Sequence, residues 1–305
     1  ILEECMKKIL EELKKLNIEK IIEDESLSKY TTFKIGGPAK ILIEAVSDEE
    51  ILKIVKLFDE MKENYLIIGN GSNLLISDEI FERPVIVLDK NFAKIMPIDE
   101  VTLYAESGAS LKSLANKALD LGLGGLEAIS GIPGTVGGAV YMNAGAYGSE
   151  IKDVVTKIRC IKDEKIVELD ASEANFAHRR SIFQEKGYVI LGAYFKLEKK
   201  AREEIKAEQK DYTQRRVDKQ PLEYPSAGSV FKRPTGYYAS KLIEDAGLKG
   251  LSVGGAMVSK KHSGFIINTG GASFEDVVTL IEKVKAIVKE KFAVVLEEEI
   301  RIINE

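Results

Sequence analysis

The feature that most constrains this chain is the apolar, glycine-dense run "GIPGTVGGAVYMNAGAYG" at residues 131–148. Six of its residues are glycine and one is proline, which leaves few large side chains to build a core. A flexible linker would instead be rich in Ser, Glu or Lys. We therefore expect the backbone of this run to come close to something flat or anionic, because only glycine leaves room for such an approach.

A second glycine loop, "GNGSN" at residues 69–73, directly follows the apolar segment "YLII". Successive backbone N–H groups in such a loop form a nest for an anion, and Ser72 and Asn73 add neutral donors. From the loop alone, a plain turn between two strands is an equally good interpretation, since Asn-Gly is a favoured turn pair. The loop matches neither the Rossmann nor the P-loop pattern. Two such loops together favour an extended dinucleotide held by backbone dipoles.

The composition excludes several classes of protein. The 305 residues are 45% hydrophobic and 30% charged with a net charge of −5, so we expect a real core and no nucleic-acid partner. Cys5 and Cys160 have no CxxC spacing, and only two histidines are present, which argues against a disulfide framework or a metal site. Without a membrane-length apolar run or a signal-peptide pattern, we expect a cytoplasmic protein that contacts no membrane.

The order of hydrophobic patterns predicts an α+β protein. Helical spacing over Leu2–Leu16 and a Ser47 capping box before a helix to about Met61 alternate with short strand patterns such as "YLII" and "VTLYAE". "TTFKIGGPAKILIEAV" is predicted to form a strand, a glycine turn and a second strand. The alternation in "FAVVLEEEIRII" predicts a C-terminal strand.

A change in composition predicts a domain boundary near residue 198. The segment "KKAREEIKAEQKDYTQRRVDKQ" is densely charged, as an exposed helix after a boundary would be. We therefore predict a first domain over residues 1–197, a smaller α+β domain over 198–290 and a returning strand over 291–305.

Five segments in chain order resemble the signature segments of the UDP-N-acetylenolpyruvoylglucosamine reductases, the MurB family of flavoenzymes in peptidoglycan precursor synthesis. The segments are "YTTFKIGGPA", "IIGNGSNLL", "GLEAISGIPGTVGGAVYMNAGAYGSEI", "PSAGSVFKRP" and "LEEEIRII". They extend from about Tyr30 to Ile303, and "PSAGSVFKRP" and "HSGFIIN" are specific to this family. The two glycine loops alone would also fit the broader class of vanillyl-alcohol-oxidase (PCMH-type) FAD domains. The short path from Tyr188 to Lys199 resembles the type II branch.

The resemblance implies a fold, a cofactor and a substrate. Residues 1–197 would hold the N-terminal helix and a PCMH-type FAD-binding domain of two α/β lobes, 198–290 would bind substrate, and 291–305 would carry a catalytic Glu. FAD would bind non-covalently, with NADPH as hydride donor and UDP-N-acetylglucosamine enolpyruvate as substrate. The enzyme would be a monomer. We expect that a Cβ on the loop glycines would hold FAD away from the backbone. The implied FAD contacts are Gly69, Asn70, Gly71, Ser72, Asn73, Leu74, Gly131, Ile132, Pro133, Gly134, Gly137, Gly138, Asn143, Gly145, Ala146, Tyr147 and Arg301.

Three residues match catalytic positions of the family. Hydride addition to the enolpyruvyl β-carbon pushes negative charge onto the carboxylate and the α-carbon, so the site needs a cation or acid and a proton donor. The resemblance implies that Arg179 polarises the carboxylate, Ser229 protonates the α-carbon and Glu299 assists at the carboxylate. From the residues alone, a surface salt bridge, a turn serine and a solvated acidic edge strand are the alternatives.

The remaining matches concern the substrate. Lys219, Arg233 and His262 fall at substrate-contact positions, and His178 stands where the family usually carries Tyr. Two other functions compete: an FAD-dependent hydroxy-acid or alcohol oxidoreductase with the same cofactor domain, and a non-catalytic nucleotide-binding or cell-wall scaffold. The first class often tethers its flavin through a histidine, and neither histidine lies in the glycine loops. A scaffold would not need all three catalytic residues.

Overall fold

The computed structural model describes residues 2–304, without the side chains of residues 2, 3 and 5, and it contains two compact units. The Leu2 side chain and the Cys5 thiol considered above therefore lie outside the described side chains. The first unit comprises Ile1–Glu23, Lys40–Asn70 and Arg83–Gln214, and the second comprises Asp24–Ala39, Gly71–Glu82 and Arg215–Glu305.

The helices begin where the sequence provides caps. The Ser47 hydroxyl accepts a hydrogen bond from the Glu50 amide at 3.2 Å, and the Ser273 hydroxyl accepts one from the Asp276 amide at 3.1 Å. The helix start predicted at Ser47 is thereby confirmed, and Ser273 begins its helix in the same way. The α-helices of residues 2–304 are α1 (Leu2–Lys15), α2 (Asp48–Met61), α3 (Leu111–Leu121), α4 (Val136–Tyr141), α5 (Phe183–Lys186), α6 (Arg202–Lys219), α7 (Ala239–Asp245) and α8 (Phe274–Phe292). Short 3₁₀ helices occupy Leu27–Tyr30, Ile151–Asp153 and Ala171–Ala174. None of these helices is long and apolar enough to cross a membrane.

The strands are mostly short. Those of residues 2–304 are β1 (Ile21–Ser26), β2 (Pro38–Glu44), β3 (Leu66–Ile68), β4 (Leu74–Ile76), β5 (Val85–Val87), β6 (Ile95–Pro97), β7 (Thr102–Glu106), β8 (Leu123–Gly124), β9 (Gly145–Ala146), β10 (Ser149–Glu150), β11 (Val155–Lys162), β12 (Lys165–Asp170), β13 (Val189–Lys196), β14 (Glu198–Lys199), β15 (Ser252–Val253), β16 (Ala256–Val258), β17 (Ile266–Asn268) and β18 (Arg301–Ile303).

The first lobe of the first unit is a four-stranded sheet packed with α1 and α2. Its order is β1-β2-β5-β3, and β5 pairs in parallel with both β2 and β3. The apolar stripes of the two amphipathic helices share one core with this sheet. Fully buried members of that core are Ile9, Leu13, Ile54, Phe58 and Ile86.

The second lobe is a five-stranded sheet of order β12-β11-β13-β7-β6, in which every pair is antiparallel. Its core includes Leu114 of α3 and Val136 and Val140 of α4, all fully buried. Because α4 lies inside the glycine-dense run, this burial anchors the run in the second lobe. The run is therefore a fixed part of the fold and not a linker.

The second unit is built around α8 and the antiparallel sheet β15-β16-β17. Strand β18 pairs in parallel with β4, with Arg301 opposite Leu74. This pairing joins the segment Gly71–Glu82 to the C-terminal part of the chain. Phe33 and Ile35 are also buried in the core that contains α8.

The two units differ from the predicted sequence ranges. Composition alone suggested uninterrupted domains, whereas Asp24–Ala39 and Gly71–Glu82 belong to the second unit because they pack and pair with its residues. The unit boundary also falls between Gln214 and Arg215, inside α6, and not near residue 198. The assignment of flavin binding to one domain and substrate binding to the other stays a prediction.

One predicted strand is wrong, and another is too long. Residues 31–34 form a turn, since the Lys34 amide donates back to the Thr31 carbonyl at 3.3 Å and Lys34 has a φ of +60°, and residues 35–37 are irregular. At the C-terminus only Arg301–Ile303 is a strand. Helix α8 continues to Phe292 and ends at Ala293 in the left-handed region, so the alternating pattern begins inside a helix.

Asn268 offers a test of how the segment Asp24–Ala39 is held. Its buried side chain donates to the Phe33 carbonyl at 3.1 Å and accepts from the Gly270 and Ala272 amides at 2.9 and 3.1 Å. We expect Asn268→Ala to lower the free energy of unfolding in urea by about 1–3 kcal/mol, because buried backbone groups lose their partners.

The matched control is Thr269→Ala, which removes an exposed hydroxyl bond to the Gly255 carbonyl at 2.9 Å. It should cost about 1 kcal/mol or less. Equal losses in the two variants would contradict the role given to Asn268.

Candidate functional site

The two glycine loops meet in the first unit. The Asn70 side-chain amide donates to the Pro133 carbonyl, and a Cβ on Gly69 would collide with the Thr135 hydroxyl. Gly69 is therefore glycine because the second loop occupies the space where its side chain would lie. The structure thus brings together two segments that the sequence separates by about sixty residues.

The second half of the "GNGSN" loop belongs to the second unit, which includes Gly71, Ser72, Asn73 and Leu74. The Asn73 side chain donates to the Glu299 carbonyl at 3.1 Å, and the Asn73 carbonyl accepts from the Arg301 amide at 2.9 Å. Asn73 therefore holds the backbone that carries Glu299.

Glycines in the long run have different physical reasons. A Cβ on Gly137 would collide with the Ser107 hydroxyl, and one on Gly145 would lie 2.5 Å from the Ser149 carbonyl. At Gly138 the nearest atom to such a Cβ is the Thr135 hydroxyl at 3.6 Å, and the residue is exposed. The expected role of glycine in admitting a cofactor therefore fits Gly138, whereas Gly137 and Gly145 are required by the protein's own packing.

The other residues of the run lie on both sides of α4. The Gly134 carbonyl accepts from the Leu111 amide at 3.1 Å, and Ile132 packs against the core of the second lobe. After α4, the Tyr147 ring stacks on Tyr212, with ring centroids 4.8 Å apart. Gly131 and Pro133 precede the helix and Ala146 lies in β9; FAD contacts at these positions stay predictions.

Arg179 lies in a tight turn of the first unit. Ala177 and Arg180 exchange two backbone hydrogen bonds of 3.0 and 3.1 Å around it, and Arg179 has a φ of +56°. This left-handed backbone is uncommon for residues other than glycine. The guanidinium donates to the Gly145 carbonyl at 3.0 Å, so Arg179 contacts the glycine run.

The neighbouring Arg180 has a different environment. Its guanidinium forms a surface ion pair with Glu185 at 2.6 Å. Arg179 therefore contacts the glycine run whereas Arg180 pairs at the surface, and the catalytic role of Arg179 stays a prediction. His178, the departure from the family pattern, lies with Nδ1 3.7 Å from the Glu150 carboxylate.

Ser229 and Glu299 lie on neighbouring segments of the second unit. The Glu299 amide donates to the Val230 carbonyl at 2.7 Å, and the Val230 amide donates to the Gly264 carbonyl at 2.9 Å. Ser229 is exposed and Glu299 is half-buried. The backbone therefore brings together the segments that carry the predicted proton donor and the predicted acid.

The two preceding glutamates have lysine partners. Glu298 lies 2.7 Å from Lys285, and Glu297 lies 3.3 Å from Lys232. Burial alone would raise the pKa of Glu298, but the hydrogen bond and the charge of Lys285 hold this pKa below its usual value. These two carboxylates therefore have structural partners in the second unit.

The predicted substrate residues belong to the second unit. His262 accepts from the Gly264 amide at 3.2 Å, and Lys219 ends α6. Burial lowers the pKa of the His262 imidazole, and the positive charges of Lys249 and Lys219 lower it further. The Arg233 guanidinium lies 4.0 Å from the centre of the Tyr238 ring. Contacts of Lys219, Arg233 and His262 with substrate stay predictions.

Two supporting residues were missed from the sequence. Ser107 is buried, donates to the Ile190 carbonyl at 2.6 Å, and its own carbonyl accepts from the Gly137 amide at 2.8 Å. Nothing in the sequence around Ser107 indicates this role. Thr135 caps α4 through its hydroxyl, and its position before "VGGAVY" was a usable capping signal.

Comparisons with known proteins first define the class. Residues 39–170 match the family described as the FAD binding domain. The solved structure of 4-ethylphenol oxidase from Gulosibacter chungangensis shares the fold, with a TM-score of 0.50 at 17% identity over 64% of this chain and 43% of that one. The protein is therefore of the FAD-binding class with an α+β fold, and the predicted fold class and FAD cofactor are confirmed.

The family follows from the rest of the chain. Residues 220–303 match the UDP-N-acetylenolpyruvoylglucosamine reductase C-terminal domain. The reductase of Caldanaerobacter subterraneus subsp. tengcongensis is 49% identical over 306 residues, covering 100% of this chain and 99% of that protein. The crystal structure of MurB from Thermus caldophilus superposes with a TM-score of 0.79 at 34% identity, covering 93% and 98% of the two chains. The chain belongs to the UDP-N-acetylenolpyruvoylglucosamine reductase family.

The residues of the first unit fit an FAD. The two glycine loops are in contact, and the backbone at Gly138 is open on the side where a Cβ would project. Glycine backbone with free space where a Cβ would project admits the close approach of a flat ligand.

Gly138→Ala tests this fit directly. Alanine inside α4 removes a glycine penalty of roughly 1 kcal/mol, so the Tm of the apoprotein should stay level or rise. FAD affinity should fall at least about tenfold, or about 1.4 kcal/mol, if the backbone approaches the cofactor here. Flavin titration and thermal unfolding of apoprotein give the two readouts. As the control, Gly137→Ala should lower the Tm of the apoprotein, because its Cβ meets Ser107. Unchanged FAD affinity in Gly138→Ala would refute the fit.

His262 gives a prediction about pH. Its folded-state pKa lies below the ordinary value of 6.5, so the unfolded chain takes up a proton more readily than the folded one. The free energy of unfolding should therefore fall as the pH drops through about 6.5 toward the folded-state pKa. His262→Gln should flatten this decline in urea unfolding between about pH 7.5 and 5.5, whereas the control His178→Gln should retain the contribution of His262. An unchanged slope in His262→Gln would contradict the assignment.

Proposed function

We propose that this protein reduces UDP-N-acetylglucosamine enolpyruvate to UDP-N-acetylmuramate, with NADPH as the hydride donor and FAD as the carrier. The main support is the similarity to a reductase of the family, at 49% identity over 100% of this chain. The contacting glycine loops and the strained Arg179 turn are the features of the structure that agree with it.

FAD, when bound, supplies a two-electron carrier that takes hydride from NADPH and gives it to the enolpyruvyl β-carbon. The backbone of the two glycine loops would hold it, with the open face at Gly138 admitting its closest approach. Because no Lys or Arg lies within either loop, backbone dipoles would supply the attraction for phosphate.

Arg179 would bind and polarise the substrate carboxylate. A guanidinium keeps its charge at any working pH and offers paired donors to a planar carboxylate. The left-handed turn fixes the backbone from which the Arg179 side chain projects. Less conformational freedom is therefore lost when substrate binds. Stabilising charge on the carboxylate lowers the barrier to addition at the β-carbon.

Ser229 would donate the proton to the α-carbon, with Glu299 assisting at the carboxylate. A hydroxyl is a weak acid, so it suits a strongly basic, carbanion-like centre. The hydrogen bond between the Glu299 amide and the Val230 carbonyl supports a shared role for the two segments. Lys219, Arg233 and His262 would contact the sugar nucleotide.

The activity is tested by separating the two halves of the reaction. Purified protein should be yellow, and NADPH should bleach the flavin absorbance under anaerobic conditions. Added enolpyruvyl sugar nucleotide should then restore the colour. Bleaching without recovery would overturn the proposed substrate, and recovery with a carbonyl compound instead would favour an alcohol or hydroxy-acid oxidoreductase.

Ser229→Ala should affect only the second half. Reduction of the flavin by NADPH needs no proton at the α-carbon and should remain near the wild-type rate. Recovery of colour with substrate should slow by about 10²–10⁴-fold, the usual loss of a general acid, and Ser229→Cys should regain part of the rate. Stopped-flow absorbance measures each half separately.

The matched control is Ser226→Ala on the same segment. The Ser226 carbonyl accepts from the Thr32 hydroxyl at 2.7 Å and its amide donates to Thr32, so the backbone bonds survive the substitution. This variant should retain both rates. Equal slowing of both halves in Ser229→Ala would make Ser229 a structural turn residue. No slowing in either half would assign the proton to another group.

A further inference from the structure

We propose that Asn143 is a positioning residue that fixes the arginine turn, and that its side chain does not bind FAD. The inference rests on the proposed function, which gives Arg179 its importance. The contacts from which it is argued all lie within the first unit. It replaces the side-chain part of the FAD contact that the sequence implied for Asn143.

Both hydrogen-bond donors of the Asn143 side chain are used within the protein. The side chain is fully buried, and its amide group donates to the Glu150 carboxylate at 3.1 Å and to the Ala177 carbonyl at 2.9 Å. Its side-chain oxygen accepts from the Lys152 amide at 3.1 Å. Because an asparagine side chain has two hydrogens to donate, neither remains for a cofactor.

Asn143 contacts both the turn that carries Arg179 and the guanidinium of Arg179. Ala177, which receives one Asn143 hydrogen, is the first residue of the turn that holds Arg179 in its left-handed conformation. The Asn143 carbonyl lies 3.5 Å from a guanidinium nitrogen of Arg179, and the Gly145 carbonyl lies 3.0 Å from the other. Asn143 therefore fixes the start of the turn through its side chain and the tip of the arginine through its backbone.

The charges around Asn143 explain the need for an amide. Burial alone would raise the pKa of Glu150, but hydrogen bonds from Lys152 and Asn143 and the positive charges of Lys152 and Arg179 hold it below its usual value. Glu150 is therefore an anion at neutral pH. An aspartate at position 143 would have the same shape but no hydrogen to donate, and it would place a second negative charge beside Glu150. That charge would also compete with the substrate carboxylate for Arg179.

The test uses Asn143→Ala and Asn143→Asp in the full FAD-loaded protein. A small displacement of a binding group can cost about a hundredfold in rate, so we expect substrate-driven recovery of flavin colour to slow by about 10–100-fold. FAD affinity, the flavin spectrum and reduction by NADPH should stay within about twofold of wild type, because they do not depend on Arg179. Loss of FAD binding in both variants would overturn the proposal.

Asn91→Ala is the matched control, because Asn91 also donates two side-chain hydrogen bonds to carboxylates and accepts one from a lysine. It removes the same kind of network in the other lobe and should retain both half-reactions. If Asn143→Ala behaved like Asn91→Ala, Asn143 would be merely structural. In an Arg179→Ala background, adding Asn143→Ala should change the remaining rate by less than about threefold. A full further loss would show that Asn143 acts independently of Arg179.

A readout without turnover separates this proposal from the proposed function. The Nε–H resonance of Arg179, assigned by its loss in Arg179→Lys, should move in both Asn143 variants and stay in place in Asn91→Ala. If wild-type enzyme failed to turn over the enolpyruvyl substrate, the proposed function would fall, and the resonance would still decide the role of Asn143. An unmoved resonance would overturn that role.

Discussion

The close approach of backbone to side chain around α4 is the constraint on which the rest of the first unit depends. Gly69 faces the Thr135 hydroxyl and Gly137 faces the Ser107 hydroxyl so closely that neither position admits a Cβ. These two contacts fix where α4 begins, and the buried Val140 fixes which side of the helix faces the core. Asn143 follows the α4 C-cap Met142, so the packing of α4 also positions the hydrogen bonds of Asn143 and the Arg179 turn.

Local signals predicted much of this fold, and pairings distant in sequence were the part that they could not predict. Ser47 and Ser273 indicate helix starts, because a capping side chain bonds to a backbone amide only three residues further along the chain. No local pattern indicates that β4 will pair with β18, more than two hundred residues away, and this pairing moves Gly71–Glu82 into the second unit. The C-terminal strand was overextended for a different reason. Alternation over Phe292–Glu298 looked like a strand, but the burial of α8 against its unit continued the helix to Phe292.

The candidate site was predictable in its residue types but not in their partners. The glycine loops and "HRRSIF" are visible in the sequence, yet the reasons for glycine differ from one position to the next. Gly138 borders open space, whereas Gly145 is required by the Ser149 carbonyl. Likewise, the sequence could not separate Arg179 from Arg180 on physical grounds. Their partners do, since Arg179 donates to the glycine run and Arg180 pairs with Glu185.

Asn73 and Asn143, one from each glycine loop, hold neighbouring backbone segments within their own units. Asn73 donates to the Glu299 carbonyl, and Asn143 donates to the Ala177 carbonyl at the start of the Arg179 turn. In both cases the side chain holds a backbone segment that carries a predicted catalytic residue. An asparagine suits this task because its amide satisfies buried carbonyls without adding charge. In each loop, glycine thus allows an open or closely packed backbone, and an asparagine orders a neighbouring segment that carries a predicted catalytic residue.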